Sequence, residues 1–166
     1  MPDSRFNTQP NQSWTAELWS FALRCYTHEK DHLLRLQDTA QLHINDALTV
    51  AFADAKQLEL HPACWDQVRS GRPRQVLLRL RRLRQTLNRS DPGRPLALDW
   101  ELTLEQWDLA RLANCLSPVN TAGEPGTHTR TTERAIAAIS EHSALSVNQT
   151  DTLIMRLVRS TERAVD

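Results

Sequence analysis

The amino-acid sequence predicts an all-α fold: a single compact helical bundle of five to six helices with a two-helix C-terminal appendage. Good helix formers (Leu, Ala, Arg, Gln and Glu) dominate the 166 residues, which include only four glycines. Apolar residues recur at spacings of three and four along most of the chain. No alternating or β-branched run predicts a strand. A chain of this length can bury a core without disulfides or metal ions.

The first two helices follow a polar segment, residues 1–12, which we expect to be disordered. Ser13 is a suitable N-cap for the first helix. A second helix is predicted from Lys30 to about Gln41, after a turn at residues 27–29. Five residues share the apolar face of the first helix: Trp14, Leu18, Phe21, Ala22 and Cys25.

A third helix is predicted to begin near Asn45, a favourable N-cap, because an apolar stripe runs from Ile44 to Leu58. His61 and Pro62 interrupt this pattern. A short helical turn is expected around Cys64.

An arginine-rich helix is predicted from about Pro73 to Asn88. Between Gln67 and Ser90 there are eight arginines and no acidic residue, although the formal net charge of the chain is zero. Such a local excess of charge needs a counterpart, either within the protein or in a partner. Four apolar residues form the stripe expected to pack inward: Val76, Leu80, Leu83 and Leu87.

Two capping boxes mark later helix starts. Thr103–Gln106 is one, with Leu102 and Trp107 placed as a hydrophobic staple, and Ser146–Gln149 is the other. The predicted domains are a helical domain at 13–117, a linker at 118–128 and a C-terminal helical hairpin at 129–166. Whether this hairpin docks on the rest of the bundle stays open.

The cysteines and the apolar stretches indicate a cytoplasmic protein. Three cysteines are an odd, sparse set, typical of reduced thiols. The N-terminus has no signal-peptide pattern, and the longest mainly apolar stretch, residues 47–53, is too short to cross a bilayer. We therefore expect no membrane partner.

The arginine-rich helix is the first candidate site. Its guanidinium groups could face outward and bind a protein partner, whose identity the sequence does not reveal, or the phosphates of a nucleic acid. Alternatively, the acidic segment Asp99, Glu101, Glu105 and Asp108 could fold back and pair with them. The hypothetical binding residues are Arg74, Arg79, Arg81, Arg82 and Arg84.

A second candidate is a polar set at the ends of the first helices: Tyr26, Gln37, Asp38 and Asn45. These residues could form a buried polar network that fixes a helix–helix corner, or they could line a small-molecule pocket.

Metal binding and catalysis have weaker signals. Cys25, His28 and His32 would share a face of one continuous helix, but the turn expected at residues 27–29 separates them. Structural zinc also needs about four converging ligands. No nucleophile elbow or glycine-rich phosphate loop occurs. We therefore predict no metal, no cofactor and no catalytic residue, and we place most of the five tryptophans in the core.

The N-terminal half carries a distinctive order of residues. It begins with Trp19-Ser20-Phe21-Ala22-Leu23 and Tyr26, continues with Leu36-Gln37-Asp38 and Ile44-Asn45, and ends with Trp65 and Leu80-Arg81-Arg82-Leu83-Arg84. Over about residues 14–88 it resembles a bacterial family catalogued as domain of unknown function 2390. The chain departs from that family at residues 27–31, where a Pro-Gly-Val turn is usual. The resemblance implies a helical, cytosolic single domain and brings no activity.

Three functions fit these observations. The first is a non-catalytic protein-interaction module that uses the arginine-rich helix together with an exposed Trp. The second is an RNA- or ribosome-associated accessory protein that binds phosphates through the same arginines. The third is a small-molecule-binding protein or enzyme with a pocket near Tyr26, Asp38 and Asn45.

Overall fold

The computed structural model describes residues 14–119 and 127–162, and within them it contains seven helices and one two-stranded sheet. The predicted all-α fold is confirmed. The predicted disordered segment at 1–12, the N-cap Ser13 and most of the predicted linker lie outside the described residues. The elements are α1 (Thr15–Ala40), α2 (Ile44–Lys56), β1 (Leu58–Leu60), α3 (Pro62–Ser70), α4 (Arg72–Thr86), α5 (Arg94–Ala113), β2 (Leu116–Pro118), α6 (Thr127–Glu141) and α7 (Val147–Glu162).

Helix α1 is one continuous helix of 26 residues, so the predicted turn at residues 27–29 is wrong. No Gly or Pro interrupts residues 15–40. The buried face also continues through the polar stretch, because Glu29 is buried and lies 2.7 Å from Nε of Arg156 on α7. This contact is an ion pair without hydrogen-bond alignment. At Glu29, an ion pair with Arg156 therefore holds α1 against α7 in place of an apolar contact.

Helix α2 is the central helix, and every residue from Ile44 to Ala53 is buried. Helices α1, α5, α6 and α7 all pack against it. On its apolar side, the ring of Phe52 makes edge-on contacts with Phe21 and Trp14 at centroid distances of 5.5 and 6.2 Å. The N-cap position belongs to His43, so the predicted capping role of Asn45 is wrong.

A short antiparallel ladder joins β1 to β2, although the sequence predicted no strand. Its register places Leu60 opposite Leu116, which brings the first turn of α3 against the end of α5. Cys64 and Cys115 form a disulfide there, with their Cα atoms 5.4 Å apart. The prediction of three reduced thiols is therefore wrong, because pairing of the strands brings together cysteines 51 residues apart in sequence.

Helices α6 and α7 pack on α1 and α2 and share their core. Ile136 and Ile139 of α6, and Ile154 and Leu157 of α7, are all buried in it. The second capping box is confirmed: Gln149 N donates to Ser146 Oγ at 3.2 Å, and Ser146 N donates to Gln149 Oε1 at 2.8 Å.

The first capping box is wrong, because α5 begins nine residues earlier than Thr103, at Arg94. Pro95 lies in the first turn, where a missing amide hydrogen costs nothing. Thr103 lies inside the helix and donates to the carbonyl of Asp99 at 2.9 Å. The proposed staple residues Leu102 and Trp107 are both exposed.

Across the described ranges, no helix combines the length and the apolar character needed to cross a membrane.

Candidate functional site

The buried face of α4 is opposite to the one that the sequence predicted. Val76 and Leu83, from the stripe expected to pack inward, are 51% and 55% exposed. Arg74 and Arg81, expected on the surface, are 2% and 8% exposed. The outward placement predicted for these two arginines, and for the largely buried Arg84, is therefore wrong.

The reason lies in α5, which packs against α4. Glu101, Glu105 and Asp108 are spaced by four and three residues, so they share one helical face. Arg84 pairs with Glu101 and Arg74 pairs with Asp108, so the two helices run antiparallel. The alternative in which the acidic segment folds back on the arginines thus describes the structure, except that Asp99 is exposed.

Arg74 is the centre of the resulting ionic network. Its Nε and Nη2 donate to both oxygens of Asp108, at 2.8 and 2.7 Å, and Nη2 also donates to Asp46 at 2.8 Å. Both carboxylates are almost fully buried. Burial alone would lower the pKa of Arg74, but the two carboxylates raise it well above its ordinary value. Arg74 is therefore a permanent cation inside the protein.

Arg69 extends the network towards α6. Its Nε donates to Asp46 at 3.0 Å and its Nη2 donates to the carbonyl of Ala138 at 3.1 Å. The guanidinium also lies 5.4 Å from the ring centroid of the buried Trp65, which is cation–π distance. Arg69 thus links α3 to both α2 and α6.

Asn45 and Arg81 extend the network in the other direction. Asn45 Nδ2 donates to Glu105 Oε2 at 2.7 Å and to Asp108 Oδ2 at 2.9 Å. Arg81 pairs with Glu105 and with Glu101. Burial raises the pKa of Glu105, and Arg81 opposes that rise.

Tyr26 of α1 lies at this end of the network. Burial, followed by the charge of Glu105, raises the pKa of its phenol to about 12. The hydroxyl therefore stays protonated at neutral pH.

The network has equal numbers of charges of each sign: Arg69, Arg74, Arg81 and Arg84 against Asp46, Glu101, Glu105 and Asp108. Replacing a buried ion pair with apolar residues is often neutral or stabilising, whereas removal of one partner is costly. The arrangement is therefore suited to fixing how α2, α3, α4 and α5 fit together.

The predicted site residues separate into three groups. Asn45 joins the ionic network, as Arg74, Arg81 and Arg84 do, and Tyr26 lies beside it. Gln37 lines a cleft beside the network, together with the exposed Arg82. Arg79 and Asp38 are exposed and apart from both.

Sequence reasoning missed Asp46 and Arg69. Asp46 had one usable signal, an acidic residue in the first turn of a mainly apolar helix. The position of Arg69 depends on how α3 folds back on α2 and α6, so nothing near it in sequence marked its role.

The candidate metal ligands Cys25, His28 and His32 all lie on the continuous helix α1. Cys25 is buried against α7, where Ser160 Oγ is 3.9 Å from its sulfur, and burial raises its pKa to about 11. His28 is exposed and His32 is partly buried. Among the side chains of the described ranges, no three His, Cys, Asp or Glu residues converge to hold a metal ion.

Large apolar side chains are exposed on both helices of the α4–α5 pair, whereas Arg74 and Arg81 are buried. Trp100 and Trp107 on α5 are 60% and 65% exposed, so the prediction that the tryptophans lie mostly in the core is wrong for these two. We define the outer surface by seven exposed residues: Arg72, Val76, Arg79 and Leu83 on α4, and Leu96, Trp100 and Trp107 on α5.

Comparison with known proteins identifies a family but no activity. The model of the family described as Protein of unknown function (DUF2390) matches residues 17–112, which is more than half of the chain. The match runs past the expected residue 88 through most of α5, so it includes every charged member of the network. No curated protein and no solved structure matches the chain significantly. The chain therefore belongs to the DUF2390 family of proteins of unknown function.

Proposed function

We propose that this protein is a non-catalytic interaction module whose outer surface binds an acidic, amphipathic helix of another protein. One observation carries the proposal: two tryptophans of α5 are each at least 60% exposed and lie on the same helical face. Soluble monomers expose single apolar side chains routinely, but a contiguous apolar patch commonly marks an interaction site.

The α5 part of the surface is an apolar strip. Leu96, Trp100 and Trp107 are separated by four and seven residues, which places them within a narrow sector of the helix. Tryptophan is among the residues that contribute most to binding energy in protein interfaces. This strip would supply the main apolar contact.

The α4 part of the surface alternates charge and apolar contact. Arg72, Val76, Arg79 and Leu83 are separated by four, three and four residues, so they too lie along one face. Neither arginine has an ion pair with another described residue. This strip favours a partner whose carboxylates flank apolar side chains.

Charge also argues against a second copy of this chain as the occupant. A symmetric dimer through the outer surface would bring the same patch of each copy together. The arginines of α4 would then approach each other with few acids nearby, since residues 67–90 contain none. An acidic partner avoids that repulsion.

The two alternative functions have less support. An RNA- or ribosome-associated protein would rely mainly on Arg79 and Arg82, because Arg74, Arg81 and Arg84 are paired internally. A pocket at Tyr26, Asp38 and Asn45 would require these residues to converge, whereas Asp38 is exposed and Asn45 is engaged by the network.

The cytoplasmic location of this interaction is also a proposal, and the Cys64–Cys115 disulfide tests it. Disulfides persist mainly in oxidising compartments. In a cytoplasmic protein we expect both thiols to react with a maleimide when freshly lysed cells are denatured in the presence of the reagent, because Cys115 is buried in the folded protein. Complete protection of the two cysteines would contradict the cytoplasmic location.

The direct test uses two synthetic amphipathic peptides, one with Glu and one with Lys on the polar face of a leucine stripe. We expect the Glu peptide to bind, as measured by fluorescence anisotropy. Trp100→Ala/Trp107→Ala should weaken binding by about 30-fold or more, because the loss of a single hot-spot tryptophan already costs about 2 kcal/mol. Arg72→Glu/Arg79→Glu should shift the preference to the Lys peptide.

The matched control is Leu23→Ala/Val147→Ala, which removes two exposed apolar side chains from α1 and α7. It should leave the affinity unchanged. The proposal would be overturned if the control lost as much affinity as Trp100→Ala/Trp107→Ala, or if the wild-type protein bound the Glu and Lys peptides equally. Concentration-dependent dimers in sedimentation would point to a second copy, and salt-sensitive RNA binding would point to a nucleic acid.

A further inference from the structure

Two adjoining cavities open beside the ionic network, between the α1–α2 corner, α4 and the end of α6. Their volumes are about 450 and 160 Å³, and they share His43, Leu78 and His142 as lining residues. We call their union the corner cleft. The larger cavity alone falls in the range of small-ligand sites, about 300–1,000 Å³.

The corner cleft is lined by cations. Arg69 and Arg74 line the larger cavity, and Arg81 and Arg82 line the smaller one. Asp66 is the single carboxylate among the lining residues. The carboxylates that neutralise Arg69, Arg74 and Arg81 belong to α2 and α5, and none of them lines the cleft.

Arg74 has an unused donor. The carboxylates engage its Nε and Nη2, but no hydrogen bond from the described residues engages Nη1. The side chain is 98% buried, and it lines the cleft. This donor is therefore available to an oxyanion that enters the cleft.

The network holds these donors in place before any ligand arrives. Arg74 is fixed by two carboxylates, and Arg69 by Asp46 and the carbonyl of Ala138. A guanidinium with a fixed plane loses little conformational entropy when it binds an oxyanion. Arg82, exposed and without an ion pair to the described residues, adds an uncompensated charge at the smaller cavity.

We propose that the corner cleft binds a small phosphorylated molecule, with Arg74 in the larger cavity and Arg82 in the smaller one as its main charged contacts. Donors line the cleft from α3, from α4 and, through Gln37, from α1. A tetrahedral anion with several oxygens can use donors from such different directions, whereas a carboxylate offers two oxygens in one plane. Ser70 and Gln85 add neutral donors beside the arginines.

His43 contributes a neutral ring. Burial, and next the charge of Arg74, lowers its pKa to about 4, while Asp46 and Asp108 oppose that shift and Arg81 adds to it. At neutral pH the imidazole therefore has one donor and one acceptor nitrogen.

The experiment titrates the full-length protein with inorganic phosphate at constant ionic strength, by isothermal calorimetry, and repeats it with glycerol phosphate, a nucleoside monophosphate and acetate. We expect saturable binding of phosphate and none of acetate. Arg82→Gln should weaken binding by about tenfold, since a charge-assisted hydrogen bond is lost. Ser70→Asp, which puts a carboxylate into the cleft, should abolish it.

The control is Arg89→Gln, which removes an exposed arginine outside the cleft and should leave the affinity unchanged. Thermal denaturation of each variant establishes that it is folded, and none of the three replaced residues belongs to the ionic network. Tighter binding of an esterified phosphate would support the proposal and indicate the class of ligand. Absence of saturable heat up to about 10 mM phosphate, equal binding of acetate, or equal losses in Arg82→Gln and Arg89→Gln would overturn it. Because no substitution touches the outer surface, its peptide binding is tested independently.

Discussion

Helices α2 and α4 bury opposite kinds of side chain. Helix α2 places a mainly apolar set of residues among α1, α6 and α7, whose facing side chains are also apolar. Helix α4 buries Arg74 and Arg81 and exposes Val76 and Leu83, because α5 presents carboxylates to it. An apolar stripe therefore predicts the buried face of a helix only when the neighbouring helix is apolar as well.

The largest expected effect comes from opening the charged region. Arg74→Ala leaves Asp46 and Asp108 buried without their main cation. We expect the free energy of unfolding to fall by about 3–5 kcal/mol, measured by urea denaturation, because an uncompensated buried charge is costly.

A companion variant sharpens this result. Asp46→Leu/Arg69→Met/Arg74→Met/Asp108→Leu removes two cations together with their two carboxylates, and we expect it to recover most of the stability lost in Arg74→Ala. If this quadruple variant were as unstable as the single one, the network would stabilise the fold by itself, in the way an apolar core does.

The disulfide links Cys64 of α3, which follows α2 and β1 in the chain, to Cys115 directly after α5, the helix that packs on α4. Cys64→Ser/Cys115→Ser should lower the free energy of unfolding by about 2–4 kcal/mol, because the bond closes a long loop in the unfolded chain. The same loss is expected when the wild-type protein is unfolded under reducing conditions. A double variant as stable as the oxidised protein would contradict this expectation.

His43 is the N-cap residue of α2, and its side chain lines the corner cleft together with residues of α4. It should make the free energy of unfolding depend on pH. Its pKa is about 4 in the folded protein and 6.5 in the unfolded chain. Between these values the unfolded chain binds a proton that the folded protein does not. Stability is therefore fully retained above pH 6.5 and falls by about 2–3 kcal/mol as the pH drops towards 4. In His43→Gln, the urea-denaturation midpoint should change much less with pH over this interval. If it changed as much as in the wild type, His43 would not be the source of the pH dependence.

The smallest expected effect tests the orientation of α4 directly. Val76→Gln/Leu83→Gln should change the free energy of unfolding by less than about 0.5 kcal/mol per site, because both side chains are exposed. Leu77→Ala, one position along from Val76, should cost about 2–5 kcal/mol because Leu77 is buried. Comparable losses at both places would mean that the apolar stripe faces inward after all.

Local signals explain which helix starts could be predicted. At α7 the Ser146–Gln149 box forms both of its hydrogen bonds. The Thr103–Gln106 box has the same spacing, but α5 already extends through it from Arg94. Both motifs satisfy the same sequence rule, and only the course of the preceding chain distinguishes them.

Tertiary partners explain what could not be predicted. The acidic face of α5 was visible in sequence as Glu101, Glu105 and Asp108, but its pairing with α4 depends on the turn that makes the helices antiparallel. The Cys64–Cys115 bond and the role of Asp46 likewise depend on residues distant in sequence. The resemblance to the family was recognisable because it rests on the order of residues alone.

The balance of charges in the ionic network also bears on the repulsion between molecules in solution. Its four positive and four negative groups cancel inside the protein, and the formal charge of the whole chain is zero, so the remaining charges cancel too. At neutral pH no net repulsion keeps the molecules apart in solution. We expect little electrophoretic mobility there, and a solubility that increases as the buffer is moved to either side of neutrality.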